Sequence, residues 1–221
     1  MKSVYFLSDA HLGCRSIPHD RTRERRLVRF LDGIKDKASA VYLLGDIFDF
    51  WYEYKTVVPR GYTRFLGKLS ELADRGVEVH FFTGNHDIWC GDYLVKECGV
   101  TLHTEPMTVE MGDKVFMLAH GDGLGDPDRK FRFLRAVFRN RLCQRMFSCI
   151  HPRWAVDFGL SWAAHSRLKH GVEGGDPPYL GEDKEYLVRF AKEYLKAHSE
   201  INYFIFGHRH IELDLMLTRS S

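Results

Sequence analysis

A chain of 221 residues with 44% hydrophobic and 28% charged side chains has room for one domain with a two-layer core, and its balance excludes a disordered chain. The net charge of +2 gives the whole molecule no field for nucleic acid, so a nucleic-acid partner is not expected and any basic surface must be local. No apolar run reaches the roughly 18 residues of a membrane span, and five cysteines without a CxxC pair suit reduced thiols of a cytosolic chain.

In chain order, Val4 to Leu7 is a short apolar run with β-branched and aromatic members and reads as a buried strand that ends at a polar turn. It is too short for the core of a signal peptide. From about Arg21 to Lys37, Leu27, Phe30, Leu31 and Ile34 recur at helical spacing among charges, and Ala40 to Leu44 is the next strand. A helix around Tyr62 to Asp74 closes at Gly76, and Val77 to Phe82 runs into Thr83-Gly84-Asn85-His86-Asp87. Thr108 to Met111 and Lys114 to Ala119 flank Gly112-Asp113 as a hairpin, the second strand delivering His120-Gly121-Asp122. Tyr203 to Phe206 delivers Gly207-His208-Arg209-His210, and the alternation from Ile211 to Leu217 predicts a last strand. The stretch from about 126 to 171 interrupts this alternation. It interleaves Arg129, Arg132, Arg135, Arg139, Arg141 and Arg145 with Phe131, Phe133, Leu134, Phe138, Leu142 and Phe147, a basic amphipathic helical pattern. A loop follows at 173–178.

Each polar motif therefore sits just past the C-terminal end of an apolar strand, where open α/β sheets hold their ligands. Asp9-x-His11 in extended chain would point a carboxylate and an imidazole the same way, toward one ion. Asp46 of Gly45-Asp46-x-x-Asp49 has two oxygens and can bridge two ions. Asn85 offers a carbonyl oxygen, His120 an imidazole, and His208-x-His210 a second alternating pair. Oxygen and nitrogen donors without thiolate suit Mn²⁺, Fe²⁺ or Zn²⁺, with manganese the first choice.

These blocks together, Asp9-x-His11, Gly45-Asp46-x-x-Asp49, Gly84-Asn85-His86-Asp87, His120 and Gly207-His208-x-His210, resemble the signature of calcineurin-like metallophosphoesterases. The resemblance implies a four-layer αββα sandwich of α/β class, with two divalent ions and a helical cap insertion at 126–171, all in one domain spanning 1–221. It implies that Asp9, His11, Asp46 and His210 hold one ion and that Asp46, Asn85, His120 and His208 hold the other. Asp49 would stand behind these ligands. His86 is similar to the family's histidine that hydrogen-bonds the phosphate or protonates the leaving oxygen, with Asp87 orienting its ring.

The insertion after His120-Gly121-Asp122 and the Trp51 after the second block resemble the UDP-2,3-diacylglucosamine pyrophosphatase family of lipid A biosynthesis. That resemblance implies hydrolysis of a lipid nucleotide to lipid X and UMP on the cytoplasmic face of the inner membrane, with the basic aromatic insertion touching the bilayer. Asp128 would contact the glucosamine, with Ser166 and Lys169 as further cap contacts. His86 stands where the best-studied branch of that family carries arginine. A phosphoesterase of the same fold for soluble nucleotides or small phosphate esters is the competing reading. A scaffold without catalysis would be expected to have lost ligands, and here the seven are present.

Overall fold

The structure is a computed structural model that describes residues 2–15, 20–169 and 178–217, with the side chains of 20 and 165–169 outside that description. Strands β1 (Ser3–Leu7), β2 (Ala38–Leu44), β3 (Glu78–Phe82) and β4 (Thr101–His103) form an all-parallel sheet in that spatial order. Strands β5 (Met107–Met111), β6 (Lys114–Ala119) and β7 (Tyr203–Phe206) form a second sheet, β5 antiparallel and β7 parallel to β6. The β5–β6 pair turns through Gly112, whose φ of 67° is the left-handed conformation such a turn requires.

Strand β2 explains the layering. Its Val41 and Leu43 join a core with Leu31 and Ile34 of α1 (Asp20–Ile34), Phe65, Leu69 and Leu72 of α2 (Thr63–Asp74) and Leu94 of α3 (Tyr93–Cys98). Its alternate residues Ala40, Tyr42 and Leu44 face the other way, into a core shared with Val109, Phe116, Leu118 and Ile205 of the second sheet. A strand covered on both faces must be apolar throughout, which is why Ala40 to Leu44 reads as an unbroken run. Each large side chain so buried contributes roughly 1.5–3 kcal/mol. Helix α7 (Tyr186–Ala197) covers the outer face of the second sheet, with Phe190 against Phe206 and Tyr194 against Phe204. The order helices, sheet, sheet, helix is the four-layer α/β sandwich.

Among the described residues between β6 and α7 lie three helices: α4 (Arg129–Arg139), α5 (Arg141–Ser148) and α6 (Pro152–Lys169). Asp128 caps α4 by accepting from the N–H groups of Lys130 and Phe131, and Asn140 ends α4 and caps α5 through Leu142 and Cys143. Residues 211–217 form no strand, contrary to their alternation. α3, β4 and α7 are additions to the elements expected from the sequence.

Candidate metal centre

Five loops, each leaving the C-terminal end of a strand, meet at one end of the sandwich. The β1 and β2 loops are stitched together by Asp9 N–H to Gly45 O (3.1 Å) and His11 N–H to Asp46 O (2.9 Å). Within the second sheet, Gly207 N–H donates to His120 O (2.9 Å); across to the first sheet, the His208 N–H reaches both Asp9 oxygens at 3.1 and 3.0 Å. The close approach depends on glycine: a Cβ at Gly84 would lie 2.6 Å from the Asp46 nitrogen, and one at Gly207 would lie 2.6 Å from Asp9 Oδ2.

Donor atoms converge in three overlapping groups: Asp9, His11 and His210; His11, Asp46 and His86; and Asp46, His120 and His208. His11 Nε2 stands 3.0 Å from His210 Nε2 and 3.8 Å from Asp46 Oδ2. His210 Nε2 lies 3.3 Å from Asp9 Oδ1, and His120 Nε2 lies 3.3 Å from both Asp46 Oδ2 and Asn85 Oδ1. Two ligands each 2.0–2.2 Å from a common ion stand roughly 3 Å apart, so the spacing fits divalent cations. Asp46 belongs to two of the groups and is shared between the His11 and His120 sides. The rings are aimed from behind: Leu44 O accepts from His120 Nδ1 (2.8 Å), and Asp49 Oδ1 lies 3.3 Å from His11 Nδ1, leaving Nε2 of each toward the centre.

The electrostatics carry the same message. Burial opposes charge on His120, but the Asp46 carboxylate outweighs it and takes the ring up to about 10. Burial acts with the neighbouring His120 charge to push His208 down to about 4. Burial opposes ionisation of Asp46 as well, yet the surrounding imidazoles hold its carboxyl well below the usual range. Without a cation, a proton on His120 balances the buried Asp46 carboxylate; a divalent ion held by these residues would take its place.

The expected extended geometry is not what brings the pairs together. Asp9 (φ 54°), His11 (43°), Asp46 (51°), His208 (71°) and His210 (49°) are all left-handed, and among the described residues Tyr62 is the one further non-glycine with positive φ. These side chains leave tight turns rather than one face of a strand, and the strain gathers at the site. Asp87 is corrected too. Its buried carboxylate accepts from the N–H groups of Gly84 (2.7 Å), Ile47 (2.8 Å), Asp46 (3.2 Å) and Phe48 (3.3 Å), and burial, with the Asp46 charge, raises it to about 7. The His86 ring is oriented instead by Asp49, whose carbonyl accepts from Nδ1 at 2.9 Å.

Beside Asn85 and His86 opens a cavity of ≈ 180 Å³ lined by Phe50, Trp89, Phe131, Leu134, Phe138, Phe158 and Trp162. Asp128 is exposed at the helix cap it makes for α4, and the side chains of Ser166 and Lys169 lie outside the described residues. Arg135 and Arg139, read from the sequence as part of a basic amphipathic pattern, point inward: Arg135 Nε bonds Asp122, and Arg139 Nη1 bonds Glu105 at 2.6 Å. Arg23, which no motif singled out, donates to the carbonyls of Ala10 (3.1 Å) and His11 (3.4 Å) and so supports the first turn.

A two-sheet sandwich with buried carboxylates and imidazoles at its strand ends, and no thiolate among them, defines a metal-dependent hydrolase of phosphate esters. The calcineurin-like phosphoesterase model matches residues 2–212, and the chain belongs to that family. It is 45% identical over 223 residues to the UDP-2,3-diacylglucosamine hydrolase of Porphyromonas gingivalis, covering 97% of this chain and 85% of that one. It is 33% identical over 184 residues to the UDP-2,3-diacylglucosamine hydrolase of Neisseria meningitidis serogroup C, covering 80% and 72%. Among solved structures it is similar to Yfce, a phosphoesterase from E. coli, at 20% identity and a TM-score of 0.35 over 56% of this chain and 59% of the other.

Proposed function

We propose that this chain hydrolyses the pyrophosphate bond of UDP-2,3-diacylglucosamine, giving UMP and 2,3-diacylglucosamine 1-phosphate for lipid A biosynthesis. The observation that carries this reading is the aromatic cavity opening directly beside Asn85 and His86: an apolar chain in the cavity leaves its phosphate at the carboxylate and imidazole cluster. The relatives named above act, by name, on that lipid nucleotide. Residues 1–221 are one domain in this reading, with 126–171 as its cap.

Asp9, His11, Asp46 and His210 are the proposed ligands of one ion, and Asp46, Asn85, His120 and His208 of the other. Mn²⁺ is the ion proposed, and Fe²⁺ or Zn²⁺ suits the same donors. When bound, such a pair makes water nucleophilic near neutral pH and neutralises phosphoryl oxygens. His86, donating Nδ1–H to Asp49 O, turns Nε2 toward the substrate, where its imidazolium form donates to the phosphate or the leaving oxygen. Asp87 shapes the loops that carry Asp46 and Asn85, and Asp49 holds His11 and His86 in register. Asp128, Ser166 and Lys169 are the proposed headgroup contacts.

The proposed site of work is the cytoplasmic face of the inner membrane. No helix among the described residues is long and apolar enough to cross a bilayer. The cap instead exposes Phe133, Leu142, Met146 and Trp154 near Arg132, Arg141, Arg145 and Arg153, a composition suited to the interface of anionic lipids. The test is UMP release from UDP-2,3-diacylglucosamine in detergent with and without Mn²⁺, with Asp46→Ala as the blank. Turnover that needs Mn²⁺ and Asp46 is expected. Cleavage of a soluble phosphodiester with the lipid nucleotide untouched would sink the lipid reading and keep the metal site.

A further inference from the structure

We infer that Arg135 of the cap helix α4 is a positioning residue for the metal centre, tying the His120 loop to the helix that walls the apolar cavity. This rests on the proposed ligand role of His120. The loop after β6 is glycine-rich: Gly121 (φ 115°), Gly123 (76°) and Gly125 (68°) all sit in the left-handed region, which glycine adopts freely and at a cost in backbone entropy on folding. Asp122, between the first two, is buried at 4% exposure, and a buried carboxylate needs a charge partner or hydrogen-bond donors. Arg135 supplies it through Nε.

The loop is built to admit this side chain. A Cβ at Gly123 would lie 3.1 Å from Arg135 Cδ and Nε, so any other residue there would press on the guanidinium. Arg135 also forms the partition between two spaces. On one side it lines the aromatic cavity with Asn85, His86, Phe131 and Leu134. On the other it lines a small cavity of ≈ 20 Å³ behind His120, with Thr83, Asp122 and Arg139. One turn later Arg139 fixes the same helix to Glu105 and to Thr104 O (3.1 Å), while Phe131, one turn earlier, brings its ring to 5.9 Å from His208. A shift of α4 therefore moves Arg135, Asp122 and the His120 backbone together, which links the filling of the cavity to the seating of a metal-binding imidazole. Partners standing behind metal ligands typically change affinity or activity by about 10–100-fold when removed.

The test is calorimetric titration of Mn²⁺ into wild type, Arg135→Met, Arg135→Lys, Asp122→Asn and Asp46→Ala, with urea midpoints measured in chelator. Arg135→Met and Asp122→Asn are each expected to weaken Mn²⁺ binding about tenfold or more. Arg135→Lys restores part of the loss, because it keeps charge and stem but not the fork, and a variant carrying both Arg135→Met and Asp122→Asn binds Mn²⁺ no worse than Arg135→Met alone. If Arg135→Met lowers the urea midpoint but binds Mn²⁺ like wild type, its role is packing and the inference is overturned. Should Arg135→Met fail to fold, Asp122→Asn decides by the same criterion. Wild-type Mn²⁺ binding by Asp46→Ala would instead remove the metal-site reading itself.

Discussion

Four backbone N–H groups converge on one buried carboxylate at Asp87, and without it the turn that carries Asp46 has unsatisfied donors on every side. Asp87→Ala is expected to destabilise the fold by on the order of 3 kcal/mol or more, read as a lower urea midpoint even in chelator. Glu185 plays the corresponding part for the last ligand loop. It accepts from Arg209 Nε (2.9 Å) and Nη2 (3.0 Å), between His208 and His210, and that guanidinium holds its carboxyl below the ordinary 4.5. A depressed pKa adds stability that is present above 4.5 and lost as pH falls through the lower folded value. Glu185→Gln should therefore flatten the fall of the urea midpoint on acidification below 4.5, while an unchanged slope would show that Arg209 gains little from the charge. The candidate donors that converge here were legible because each polar motif interrupts an apolar run. Their left-handed backbone was not, since alternation rules assume that the strand continues through Asp9 and His208. Nor was the inward turn of Arg135: an arginine in an amphipathic helix looks the same whether it meets solvent or a buried Asp122.

At the level of elements, α2 begins without a cap of its own. Tyr62 is left-handed there and its side chain makes no capping bond; Glu24 from α1 crosses instead, accepting from the N–H groups of Arg64 (3.2 Å) and Phe65 (3.3 Å). Glu24→Ala should cost about 1 kcal/mol, as loss of a side-chain cap does, visible as a drop in Tm. Strands covered on two faces, such as β2, were readable from composition alone. The six-residue α3 and three-residue β4 are too short to establish a period. The alternation of 211–217 misled for a different reason. A strand needs a neighbour to accept its backbone bonds, and a pattern of side chains does not supply one. α7 carried a usable signal, with Leu187, Val188 and Ala191 buried on one face.

Across the whole molecule, the site lies where the ends of the two sheets come together beyond their shared apolar core. Ions held by both sides should act as a clasp. Binding at a hundred times Kd adds about 2.7 kcal/mol, so Mn²⁺ is expected to raise Tm of the wild type and leave Asp46→Ala unmoved, and chelation to reverse the gain. An equal shift in the mutant would place the stabilising ion elsewhere. The order of the ligands along the chain has a consequence for synthesis. Asp9, His11, Asp46 and Asn85 leave the ribosome early, but each proposed ion also needs a histidine from beyond β7, His210 for one and His208 for the other. β7 must first thread in parallel to β6, a long-range pairing that forms late. A nascent chain that has not yet added His208 and His210 would therefore lack a complete cage for either proposed ion, and catalytic competence would await the pairing of β7 with β6.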